Sequence, residues 1–60
     1  LAGGEMRIGM SSNEVISLLG QPTKIERVAN SKKEQWIYEG PNGLVILHFE
    51  NGVLRHIHPD

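Results

Sequence analysis

The chain has 60 residues, six Lys plus Arg against seven Asp plus Glu, a formal net charge of −1, and no cysteine. This length accommodates a single domain over residues 1–60, and the lack of cysteine excludes disulfides, thiolate metal sites and a cysteine nucleophile within it. The balanced charge argues against nucleic acid as a partner, and the longest apolar run, Leu44–Leu47, is far too short to span a bilayer. Because so small a core needs support, we expect oligomerisation or a longer parent chain to contribute stability.

A short helix is predicted near the N-terminus, after a small, Gly-rich segment (residues 1–6) that we interpret as a flexible lead-in. Ser11 and Glu14 have the spacing of a capping box, in which each side chain accepts a hydrogen bond from the backbone N–H of the other. Gly20 and Pro22 end the helix, because glycine adopts left-handed conformations and proline cannot continue the helical hydrogen bonding. Apolar side chains between these ends form one stripe that must cover a surface: Val15, Ile16, Leu18 and Leu19.

In the segment after the helix, the apolar residues no longer follow the helical spacing of three and four. Thr23–Ala29 carries Ile25 and Val28 among charged residues, which predicts an edge strand, and Asn30–Lys33 is a polar turn. We favour the interpretation that the charges on this edge prevent unwanted sheet pairing. The alternative is that a partner strand pairs with this edge.

Two further strands form a predicted hairpin. Gln35–Glu39 places Trp36 and Tyr38 on one side, where we expect them to fill the core rather than to contact a partner. Gly40–Gly43 is rich in turn formers, and Leu44–Glu50 is the most strand-like segment of the chain. Its alternation predicts one face with Val45, Leu47 and Phe49 and an opposite face with Leu44, Ile46 and His48.

An Asn-Gly turn leads into the last predicted strand, Val53–His58. A two-residue turn would pair Glu50 with Val53, whereas a three-residue turn with Gly52 as a bulge would pair Phe49 with Val53. We favour the bulged turn, because it gathers the apolar residues of both strands on one face. That face would hold Val45, Leu47, Phe49, Val53 and Ile57, with Arg55 among them.

These elements predict an α+β fold, in which one short N-terminal helix packs on an antiparallel meander sheet of three or four strands. A helix followed by a run of strands is typical of this class, whereas parallel sheets require alternating strands and helices. We expect Trp36 and Phe49 to lie between the helix and the sheet.

Three histidines are the candidate metal ligands. In the bulged register, His48, His56 and His58 all fall on the face opposite the core. Two histidines two residues apart on one strand, with a third on the neighbouring strand, can bind zinc or nickel. No carboxylate clearly completes such a site, so we predict solvated side chains and no cofactor. A histidine-based metal-binding protein remains an alternative.

The sequence contains no recognisable catalytic arrangement. Acid–base catalysis needs paired titratable groups at fixed geometry, and here the glutamates are scattered along the chain. Helix capping accounts for Ser11 and Ser12, and Gly40–Gly43 is unsuited to binding phosphate because Pro41 lacks an N–H donor. We therefore predict that the protein is not an enzyme.

Three segments, RIGMSSNEVISLLGQP, QWIYE and LVILHFENGVL, resemble the SmpA/OmlA (BamE-like) family in their order and spacing. The shared features are a Gly-Met before a capped helix, a Leu-Gly-x-Pro exit, a Trp-x-Tyr strand and a Phe-x-x-Gly turn. The resemblance covers residues 7–57. The matching residues have mainly structural explanations: Gly9, Met10, Ser11, Glu14, Leu19, Gly20, Pro22, Trp36, Tyr38, Phe49 and Gly52.

The resemblance implies a helix-on-sheet fold of the β-lactamase-inhibitor-like type, a location in the cell envelope (periplasm or outer membrane), and a non-catalytic role in outer-membrane assembly or maintenance. It also implies a protein partner, with a ligand-sensing or inhibitory module of the same fold as the alternative function. The chain departs from the family in two ways. It lacks a lipidated cysteine, and the family's first helix is absent or reduced to Leu1–Ile8. We therefore expect membrane attachment only through an anchor that is not in this chain.

Overall fold

The computed structural model describes residues 6–59. Within them, helix α1 precedes four strands, which follow one another across a single antiparallel sheet in the order β1-β2-β3-β4. The predicted α+β fold with a meander sheet is confirmed. None of the helical structure in these residues is long and apolar enough to cross a membrane. The elements are α1 (Ser12–Leu19), β1 (Lys24–Arg27), β2 (Lys33–Gly40), β3 (Gly43–Glu50) and β4 (Val53–His58).

Both ends of helix α1 form as its sequence predicts. The Ser11 N–H donates to Glu14 Oε1 at 2.9 Å and the Glu14 N–H donates to Ser11 Oγ at 3.1 Å, which completes the capping box. At the other end Gly20 has a φ of 83°, and its N–H donates to the Ile16 carbonyl oxygen at 2.8 Å. The predicted lead-in lies outside the described residues except for Met6, which packs against the core.

The apolar stripe of helix α1 is narrower than predicted. Val15 is buried, and Ile16 and Leu18 pack against the core, but Leu19 is 43% exposed. Leu19 is the last helical residue, so it lacks the neighbours three and four positions later that shield side chains within a helix. Its placement in the covering stripe was wrong. This end of the helix is held instead by Tyr38, whose Oη donates to the Gly20 carbonyl oxygen at 2.8 Å.

The predicted turn between strands β3 and β4 was also wrong. Glu50 pairs with Val53 and Phe49 with Leu54, so the turn has two residues rather than three. Asn51 and Gly52 have φ values of 55° and 77°. Positive φ at both central residues is characteristic of a type I′ turn, whose twist matches that of the flanking strands.

A bulge lies one step further along the same strand pair. His48 pairs with His56, which leaves Arg55 as an extra residue without a partner on strand β3. Because of this extra residue, Leu54 and Ile57 both face helix α1 although they are three positions apart. The prediction that Val53 and Arg55 share the core face is therefore wrong: Leu54 is fully buried there, and Arg55 is exposed.

The core lies between helix α1 and one face of the sheet, as predicted. The Trp36 and Phe49 rings contact each other with centroids 4.3 Å apart and an interplanar angle of 35°. Trp36 Nε1 donates to Glu34 Oε1 at 2.8 Å, so the indole is buried without losing its hydrogen bond. The buried residues are Met10, Val15, Trp36, Leu47, Phe49 and Leu54.

The two edges of the sheet differ. Strand β1 forms one edge, shorter than the predicted Thr23–Ala29, and its Lys24 Nζ lies 3.1 Å from Glu26 Oε2. Strand β4 forms the other edge, part of which is covered by the segment before helix α1. The Gly9 N–H donates to the Leu54 carbonyl oxygen and the Leu54 N–H to the Met10 carbonyl oxygen, both at 2.8 Å. Among residues 6–59, this covering reaches only the start of strand β4. The last residues of the strand, which carry His56 and His58, lie beyond it.

Candidate functional site

The sheet surface opposite helix α1 is the candidate functional site, and we call it the outer face. Cross-strand pairing aligns Lys24, Ile37, Ile46 and His58 in one row. The neighbouring row contains Glu26, Gln35, His48 and His56. Leu44 lies beside the first row, on the same side of the sheet. Since helix α1 packs on the opposite side, no other element of residues 6–59 covers these side chains.

The centre of the outer face is apolar. Ile37 and Ile46 pair directly across strands β2 and β3, and both are half-buried by their neighbours in the sheet. Leu44 is 52% exposed. We call these three side chains the apolar centre. Sequence alternation placed Leu44 and Ile46 opposite the core but gave them no role. A signal for a role was present, because both of these residues on the second face of strand β3 are apolar.

The three histidines lie together at one end of the outer face, and we call them the histidine cluster. The His48 and His56 ring centroids are 5.4 Å apart, and those of His56 and His58 are 6.4 Å apart. The prediction that all three share the face opposite the core is confirmed. Their pairing differs from the prediction, because the bulge at Arg55 brings His56 opposite His48.

A shallow groove of about 290 Å³ adjoins the histidine cluster. Its lining includes His48 and His56 together with Val28, Gln35 and Arg55. Charged side chains of both signs contribute to it: Lys33, Glu34, Glu50 and Arg55. Since Val28 is 49% exposed, the groove combines apolar and charged surface with two imidazoles. The arrangement suits contact with another molecule at the surface.

The pKa of His48 is lowered from its ordinary value of 6.5. Burial is the main cause, because it disfavours the charged imidazolium, and repulsion from His56 and His58 adds to the effect. Near neutral pH the His48 imidazole is therefore uncharged and is free to accept a hydrogen bond or to bind a metal ion through one nitrogen.

This lowered pKa predicts that the domain loses stability in acid. The unfolded chain takes up the His48 proton near pH 6.5, at a higher pH than the folded chain does. The contribution of His48 to the free energy of unfolding is therefore complete above that pH. It is lost as the pH falls through 6.5 toward the folded-state pKa. We expect the urea midpoint to fall between about pH 7.5 and about pH 5.5, and to fall less in His48→Gln. Equal falls in the two proteins would contradict the assignment.

In their present conformations, no three His, Cys, Asp or Glu side chains among residues 6–59 form a metal-binding group. Polar and charged side chains of the same residues all retain some exposure. Two glutamates are engaged elsewhere: Glu26 pairs with Lys24, and Glu34 accepts hydrogen bonds from Trp36 Nε1 and Arg27 Nε. Both glutamates lie near the surface of the sheet. Within residues 6–59, neither of them forms a hydrogen bond with a second acid.

The residues that carry the family resemblance lie mostly away from the outer face. They cap the helix, fill the core or form the last turn, as with Ser11, Trp36 and Gly52. A search of protein-family models, curated proteins and solved structures finds no match to this chain. The resemblance to the SmpA/OmlA (BamE-like) family therefore stays a prediction, and the motif residues support the fold rather than a site.

Proposed function

We propose that this domain is a non-catalytic protein-binding or scaffolding module and that the outer face is its contact surface. The observation that carries the proposal is the apolar centre, which helix α1 leaves uncovered. An antiparallel sheet with one solvated face normally alternates apolar and polar residues. Strands β2 and β3 instead place Ile37, Leu44 and Ile46 on the side away from the core. Apolar surface in this position is best explained by a partner that covers it.

The surroundings of the apolar centre define the kind of partner. Charged side chains of both signs surround it on three strands, with an apolar middle and a polar rim as in protein interfaces. A partner of matching chemistry is a protein with an apolar patch rimmed by both acidic and basic residues. The rim residues are Lys24, Glu26, Lys33, Glu39 and Glu50.

Two further considerations favour binding over catalysis and a location in the envelope. Catalytic acids and bases commonly lie where burial shifts their pKa strongly, whereas the ionisable side chains of residues 6–59 all lie at or near the surface. The resemblance to the SmpA/OmlA (BamE-like) family supports a location in the periplasm or at the outer membrane, and it supports a protein rather than a small molecule as the partner.

The test is a pull-down from bacterial envelope extract with the immobilised domain and two matched variants. Ile46→Lys introduces a charge into the apolar centre, and Ser17→Lys introduces the same charge on the exposed side of helix α1. We expect the wild type and Ser17→Lys to retain the same protein and Ile46→Lys to lose it. Near-UV circular dichroism of Trp36 verifies that each variant is folded. Equal retention by folded Ile46→Lys, or no retained protein at all, would refute the proposal.

A further inference from the structure

We propose that the histidine cluster is a binding site for a divalent transition-metal ion, zinc or nickel, held by His48, His56 and His58. The site lies on the outer face, beside the apolar centre, and it requires no partner, because all three ligands belong to this chain. It would occupy the end of the outer face where strands β3 and β4 pair.

The backbone supplies the template for this site. His56 and His58 are two positions apart on strand β4, so their side chains leave the same face about 7 Å apart along the strand. His48 is the direct cross-strand partner of His56, a relation that puts Cβ atoms about 5 Å apart. Three imidazoles thus project from the corners of a small triangle fixed by sheet hydrogen bonds.

Two of the ring separations are near the value that a shared ion requires. Zn–N bonds of about 2.1 Å and tetrahedral angles place two bound imidazole ring centres about 5 Å apart. The His48 and His56 centroids, at 5.4 Å, are already close to that separation. The His56 and His58 centroids, at 6.4 Å, must approach by about 1 Å, which side-chain rotation can supply because both residues are exposed. The three rings do not form a metal-binding group in their present conformations, so binding requires this rotation.

Binding of the ion depends on pH, because metal ions bind the neutral form of imidazole. Three histidines leave a fourth position for water, and binding competes with protons, so affinity falls in acid. Several charged side chains lie along the same rows or in the adjoining groove and set the local potential: Lys24, Glu26, Lys33, Glu34, Glu50 and Arg55.

Isothermal titration calorimetry of the full chain with zinc sulfate and with nickel chloride, in a non-chelating buffer near neutral pH, tests the site. We expect one ion per chain and a loss of affinity of at least about tenfold in His48→Ala, His56→Ala and His58→Ala, since even outer-shell changes cost that much. Arg55→Ala is the matched control, because it removes a neighbouring side chain of strand β4 that is not a ligand. It should bind as the wild type does.

Near-UV circular dichroism establishes that each variant is folded before titration. Zinc should also shift the imidazole resonances of all three histidines in NMR spectra of the wild type. No heat with either ion, a ratio of one ion per two chains, or equal affinity in folded histidine variants would each overturn the proposal. These titrations contain no protein partner, so their failure leaves the proposed contact surface untouched, and failure of the pull-down leaves the metal site untouched.

Discussion

Trp36→Ala is expected to lower the free energy of unfolding by about 3–5 kcal/mol, the range for removing a large aromatic side chain from a core. Trp36 is only 5% exposed, contacts the Phe49 ring and donates a hydrogen bond to Glu34. Alanine would leave a cavity between helix α1 and the sheet, and it would also remove the hydrogen bond that holds the Glu34 carboxylate.

The size of this effect relative to the total stability makes the test decisive. A domain of 60 residues has a total stability of roughly 3–9 kcal/mol, so Trp36→Ala should be largely unfolded. Trp36 is the only tryptophan, so far-UV circular dichroism in urea, rather than fluorescence, must follow unfolding. Trp36→Phe keeps a ring in the core and should remain folded with a smaller loss. A loss below about 1 kcal/mol in Trp36→Ala would show that Trp36 is not a core residue.

Leu54→Ala is expected to cost about 2–5 kcal/mol, because Leu54 is fully buried against Val15 and the sheet residues of the core. Leu44→Ala removes the same atoms from the opposite face, where the side chain is 52% exposed. That change should cost less than about 1 kcal/mol, since exposed sites lose little on truncation. Urea unfolding curves of the two variants, fitted with a common slope, measure both values.

The pair of variants distinguishes the two possible registers of the last hairpin. A three-residue turn with Phe49 opposite Val53 would move Leu54 to the outer face, where its truncation would cost no more than that of Leu44. Comparable losses in the two variants would therefore contradict the type I′ turn. A loss confined to Leu54→Ala is the result that this register requires.

The helix could be predicted because its determinants are local. Ser11 and Glu14 satisfy each other across one turn, and the positive φ of Gly20 ends the helix. Leu19 shows the limit of such reasoning. Its spacing assigns it to the apolar stripe, but its exposure depends on the path of the chain after the helix and on how far the sheet extends beneath it.

The last hairpin could not be predicted in full, because its sequence is compatible with two turn types. An Asn-Gly pair is compatible with either turn, and the choice depends on which side chains the core accepts. The structure combines the two-residue turn with a bulge at Arg55, and together they place both Leu54 and Ile57 on the core face. Nothing in the residues around Arg55 marks it as the extra position, since the bulge is a consequence of packing against helix α1.

The candidate site was predictable only in part for the same reason. Period-two alternation placed His48, His56 and His58 on one face, but the direct pairing of His48 with His56 results from the bulge. The apolar centre was visible in part, because Leu44 and Ile46 occupy the second face of strand β3. Which face the helix would cover, and therefore which face stays open for a partner, is a tertiary property that periodicity alone leaves undecided.

Methyl NOE measurements on the isotope-labelled protein can decide whether helix α1 covers one face of the sheet and leaves the outer face open. We expect cross-peaks from the Val15 methyl groups to those of Leu47 and Leu54, which form one buried cluster with Val15. We expect no cross-peaks from Val15 to Ile37 or Ile46, which lie on the other side of the sheet. Contacts from Val15 to Ile46 with none to Leu47 would contradict the arrangement, and with it the proposed contact surface.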